Sequence, residues 1–103
     1  LQDYMVSNTV NGMRAAYAIN WTVPANTRYR TGSFTRSAND AIYIALTLSA
    51  SAKVGIIGFD GVMKSVVNSK VNQSFGTWSA QTYAVFVQNT SSSSITATGS
   101  YQY

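Results

Sequence analysis

Between Asp40 and Ser49 the chain alternates without a break: Ile42, Ile44, Leu46 and Leu48 fall on one side of an extended backbone, and Tyr43, Ala45, Thr47 and Ser49 on the other. A period of two predicts a β-strand with one apolar face. Burying its four aliphatic side chains is worth about 1.5 to 3 kcal/mol each, which makes this the strand against which the other segments pack. Upstream, Tyr17, Ile19, Trp21 and Val23 alternate with Ala16, Ala18, Asn20 and Thr22. That strand stops at Pro24, which cannot donate to a ladder, and Pro24, Ala25 and Asn26 form the predicted turn. Residues 27–35 follow as a more polar strand, with Arg28 and Arg30 on one side, Tyr29 and Thr31 on the other, and a bulge expected at Gly32.

Downstream, residues 49–52 lead out of the central strand. Residues 54–59 and 62–67 then read as a β-hairpin joined by Asp60 and Gly61, a pair suited to the positive φ angles of a two-residue type I′ turn. Asn68, Ser69 and Lys70 predict another turn into a strand over 71–78, with a bend at Gly76. Tyr83, Val85 and Val87 alternate with Thr82, Ala84, Phe86 and Gln88; after a loop over 89–93, Ile95, Ala97, Gly99, Tyr101 and Tyr103 alternate with Thr96, Thr98, Ser100 and Gln102. Residues 1–12 are weakly patterned and predict an N-terminal arm or edge strand ahead of a body over 13–103. Short strands at regular spacing, separated by turn signals and without a helical period, are the mark of an all-β sandwich or barrel.

Length and composition narrow the class. A chain of 103 residues supports one core. Only 10% of it is charged, far below the usual quarter, so the surface must be Ser, Thr, Asn, Gln and Tyr, as suits a secreted or cell-surface protein. The opening at Leu1, with no basic and apolar leader ahead of it, is expected of a processed or trimmed chain. No apolar run reaches the length of a membrane span. The net charge of +4 gives a mild attraction to anionic polymers. Its cations are dispersed as gatekeepers are, rather than gathered into the patch that nucleic acid requires, so no nucleic-acid partner is expected.

Candidate chemistry is mostly excluded. The chain has no Cys and no His, which removes disulfides, thiolate and imidazole catalysis and the common zinc sites. It also has no Glu, and Asp3, Asp40 and Asp60 lie in an arm, before a strand and in a turn, so neither an acid/base pair nor a calcium loop is expected. The chain reads as a non-enzyme without cofactor or metal. Aromatic residues are its main resource. Tyr43 and Phe86 point away from the branched residues of their strands, so either both faces are covered or some rings stand on an accessible face, where they can stack on sugars or hold a protein. Arg28, Arg30, Tyr29 and Tyr43 are the candidate ligand contacts. Asn20, Asn72 and Asn89 each begin an N-glycosylation pattern, and Asn89, at the start of a polar loop, is the leading acceptor.

The stretch from Trp78 to Ser91, followed by Ile95 to Tyr101, resembles the final hairpin of small secreted prokaryotic jelly-roll sandwiches. The resemblance implies an antiparallel, jelly-roll-like β-sandwich of about eight strands and a noncatalytic extracellular module. Some similar sandwiches build surface or spore fibres by lending a terminal strand to the next subunit; the cysteine cross-links of some such fibres cannot form here. The first expectation is therefore a structural protein that assembles with copies of itself, its arm residues Tyr4, Met5, Val6 and Val10 adding to a neighbour's sheet. The arm is too polar to bury well on its own sheet, and a neighbour's open edge would satisfy its backbone groups. Two other readings stand beside it: a monomeric binding module for a glycan or an anionic envelope polymer, and a secreted antimicrobial or membrane-active protein.

Overall fold

The structure, a computed structural model, describes residues 1–6, 9–10 and 16–103. The described residues form nine strands and no helix: β1 (Gln2–Met5), β2 (Thr9–Val10), β3 (Ala16–Val23), β4 (Thr27–Arg30), β5 (Phe34–Arg36), β6 (Ala41–Gly58), β7 (Met63–Gly76), β8 (Gln81–Asn89) and β9 (Ile95–Gln102). All belong to one hydrogen-bonded sheet, where two stacked sheets were expected. Its main path runs β1-β4-β8-β6-β9-β3-β2, with β5 also on β8 and β7 also on β6. Every pair is antiparallel except β1 with β4, which is parallel, so the sheet is mixed and the expected jelly-roll order is not recovered.

The difference originates in β6 and β7. Residues 49–52 do not leave the sheet, and Asn68, Ser69 and Lys70 do not turn the chain. Instead β6 continues for 18 residues and β7 for 14. The register between them steps from Thr47 opposite Lys70 to Ala52 opposite Asn68, so that four residues of β6 face Ser69 alone. Small polar residues imitate a turn here, and the inward series skips the exposed Ala50, yet it resumes in phase: Ile42, Ile44, Leu46, Leu48, Ala52, Val54 and Ile56 are all buried in one core. One bent hairpin covers both halves of that core, which a reversal of the chain would not do. The bend also lets β6 serve two neighbours, β9 along Tyr43–Leu48 and β8 along Lys53–Gly58. The sheet consequently curls into a half-barrel. At its rim Phe34, on β5, stacks on Tyr103 beyond β9 with ring centroids 3.8 Å apart.

The hairpin at Asp60 and Gly61 is present, but its loop has three residues. Gly61 N donates to Gly58 O and Gly58 N to Val62 O, each at 2.9 Å. Gly61 has φ +82°, whereas Asp60 is not among the residues of positive φ. This is a turn closed over Phe59 and Asp60 with a left-handed glycine after it, the usual three-residue hairpin loop. At Gly32, where a bulge was expected within one strand, the strand is interrupted: Thr31, Gly32 and Ser33 lie opposite Val85 and Ala84, between the ladders of β4 and β5 on β8.

Candidate functional site

Residues opposite one another in a ladder share a face. Away from the core, Met5, Arg30, Phe86, Gly55 and Ser65 make one row across β1, β4, β8, β6 and β7, beside a second row of Ala84, Ile57 and Met63. Phe86, for which the sequence left two readings open, is fully buried on this second face. The Arg28 guanidinium lies over its ring, 6.0 Å from the centroid, and Arg28 Nη1 reaches Met63 Sδ at 3.7 Å. Gly55, with no side chain, lies in the row between Phe86 and Ser65, and the backbone of β7 at Lys64 and Ser65 closes over it.

The two arginines of β4 differ in charge balance. Asp3, brought beside them by the parallel β1–β4 pair, accepts from Arg28 Nε at 3.2 Å and from Nη2 at 2.7 Å. This two-point hydrogen bond with the guanidinium holds the Asp3 carboxyl below its ordinary value, burial opposing it. Arg30 Nε stands 3.7 Å from the same carboxylate, so one acid is spent mainly on Arg28. Arg30 borders a groove of about 410 Å³ between β1 and the β6–β7 turn. Ala84, Ile57 and Gly58 line it with apolar surface, Met5 and Phe59 stand at its sides, and Thr31, Ser33 and Thr82 add hydroxyls. Among the described residues, Arg30 is the one ionisable residue of this lining. A single cation among apolar groups and hydroxyls is a lining suited to recognition.

The turn presents the most exposed large apolar side chain among the described residues. Phe59 N donates to Thr82 O and fixes the loop on β8, while the Phe59 side chain remains 86% exposed. Val62, Met63 and Met5 are exposed as well, so the groove lies within a broader apolar surface bordered by Arg28 and Arg30. A phenylalanine held at a rigid tip beside other exposed apolar side chains is the kind of patch that marks a partner surface. Asp60 faces elsewhere: it accepts from Trp78 Nε1 at 2.9 Å and from Gln81 Nε2 at 3.2 Å, and the Trp78 hydrogen bond leads the causes that hold its carboxyl low.

Of the candidate residues, the structure brings Met5 and Arg30 into the groove and puts Arg28 at its border. Tyr29 faces the core side, edge-on to Trp21 and to Tyr4, each at 6.0 Å. Tyr43 stands on the half of β6 that pairs with β9, and its hydroxyl donates to Asn72 Oδ1. These four therefore make no common ligand platform. Val6 packs against the core, and its N–H donates to Arg30 O. Val10 lies on β2, paired with Tyr17; its side chain is outside the described residues. β1 finds its partner in β4 of the same chain, so fibre assembly through the arm has no support in this arrangement. Asn20 and Asn72 are exposed on strands, but Asn89 is 1% exposed. Its Nδ2, the atom a glycan would need, donates to Val23 O, Pro24 O and Ser93 O, and Oδ1 accepts from Ser91. Asn89 is a structural tie between two loops. Phe59, Ile57, Thr82 and Ala84 were not singled out from sequence; an aromatic just before an Asp-Gly turn was the available signal.

No protein-family profile and no curated protein sequence matches the chain. Among solved structures, the chain is similar in fold to Aeromonas hydrophila PliG, described as a periplasmic lysozyme inhibitor of g-type lysozyme, with a TM-score of 0.67 and 6% sequence identity over 98% of this chain and 96% of that one.

Proposed function

We propose that this chain is a small noncatalytic protein of the cell envelope or exterior that binds another protein on the Phe59 turn and the adjoining groove. The observation that carries the reading is the exposed Phe59 beside a groove whose lining holds the incompletely neutralised Arg30. The complementary partner segment offers a carboxylate to Arg30 and an apolar side chain to Ile57 and Ala84. Low charge content and a fold neighbour from the periplasm support the location. Because that neighbour inhibits a g-type lysozyme, purified g-type lysozyme is the first partner to test. Titration calorimetry and a cell-wall lysis assay should show a complex and slower lysis. Phe59→Ala and Arg30→Gln should each weaken the complex by about tenfold or more. Full inhibition by both variants would refute the groove as the docking surface, and failure of the intact chain to bind would refute this partner.

A further inference from the structure

Where β3, β5 and the end of β9 meet lies a second built site, formed by tyrosines. Tyr17 of β3 and Tyr103 beyond β9 have rings inclined by 6° with centroids 5.2 Å apart, and the Tyr103 hydroxyl donates to the Tyr17 hydroxyl at 2.9 Å. Phe34 stacks on Tyr103 from β5, and Tyr101 lies 5.2 Å from Tyr17. Both tyrosines of the pair are half-buried, so their edges meet solvent while packing fixes their planes. Tyr43, by comparison, hydrogen-bonds to an asparagine on an exposed ladder.

We infer that Tyr17 and Tyr103 form an oxidative modification site, at which a one-electron oxidant of the peroxidase type joins the two rings by a carbon–carbon bond. Each phenol gives up one electron and its hydroxyl proton, and the hydrogen bond between the hydroxyls provides the first step for that proton. The two phenoxyl radicals couple at the carbons ortho to oxygen, positions that flank the hydroxyl contact. The ortho hydrogens then pass to the oxygens and restore both phenols. The chain loses two hydrogen atoms in all, and the two electrons reduce one hydrogen peroxide to two waters. Burial, followed by the hydrogen bond to Tyr17, pushes the Tyr103 hydroxyl above its ordinary value, so Tyr103 keeps the proton it donates at neutral pH. The product fastens β3 to the end of its ladder neighbour β9, across a separation of 86 residues, in a chain that has no cysteine to do so.

The test treats the full chain at low concentration with a peroxidase and hydrogen peroxide. Dityrosine fluorescence should appear in the monomer, and peptide mapping should find Tyr17 linked to Tyr103. The linked protein should melt at least about 5 °C higher, as closing a long loop requires. Tyr17→Phe and Tyr103→Phe, which keep the ring stack, should each abolish the intramolecular product, while Tyr43→Phe retains it. Exposed methionines gain oxygen instead of losing hydrogen, so mass separates that reaction from coupling. A product that is only intermolecular, a link at other tyrosines, or no dityrosine in the folded chain would overturn the inference.

Discussion

A Cβ on Gly55 would run into the Lys64 carbonyl oxygen and lie 2.7 Å from Ser65 Cα, because β7 curls across that face of β6 where the side chain is missing. Arg28 crosses the same bare row on its way from Phe86 to Met63. The curl of the hairpin, the burial of Phe86 and one border of the groove thus share a cause. Gly55→Ala is expected to cost about 2 to 3 kcal/mol, since backbone rather than a flexible side chain must give way. Gly32→Ala meets nothing within 4 Å and should stay within about 0.5 kcal/mol of the parent. Urea unfolding measures both, and equal midpoints for the two variants would contradict the close approach.

Asn89, itself buried, joins the β3–β4 turn to the loop after β8 by donating to three carbonyls. Asn89→Ala should destabilise by about 1 to 3 kcal/mol, as the buried Val23 carbonyl and two part-buried ones lose their donor. A thermal midpoint unchanged from the parent would contradict the tie.

Gly61 holds φ +82° in open space, so its conformation alone restricts the residue. Gly61→Val should destabilise by about 1 kcal/mol or more, and it should also disturb the presentation of Phe59. Coincident melts of variant and parent would contradict the loop geometry.

The Asp3–Arg28 pair makes the docking of β1 depend on pH. The Asp3 carboxyl is held below the ordinary 3.8, so its contribution is present in full above that value and disappears as pH falls through the lower folded value. Hydrogen exchange at Tyr4 and Met5 should therefore accelerate, relative to the core strands, once pH drops below about 4. Asp3→Asn should show that faster exchange already at neutral pH. An Asn variant that matches the parent at every pH would contradict the role of the pair.

Alternation alone placed most inward side chains, because a half-buried strand can satisfy its core in one way and Ile42 to Leu48 leave no choice of face. The bend in β6 and β7 was hidden, since Ser49, Ser51, Asn68 and Ser69 are turn formers whether the chain reverses or only bulges. Only the continued burial of Ala52, Val54 and Ile56 distinguishes the two cases. The groove was less readable still. It depends on a parallel β1–β4 pair, which has no local signature, and on the β6–β7 turn standing opposite that pair across β8. Arg30 and Met5 could be chosen as polar-strand and arm residues, but nothing in their spacing says that Phe59 stands beside them.

The central claim is that a protein partner docks on the Phe59 turn and the groove beside it. Its most direct test is an NMR titration of the isotope-labelled chain with purified g-type lysozyme. The account predicts saturable shifts or broadening concentrated at Met5, Arg30, Ile57, Phe59, Thr82 and Ala84, with the rim at Tyr17 and Tyr103 unchanged. Perturbations centred on that rim or along β7, or a spectrum unaltered at saturating lysozyme, would contradict it.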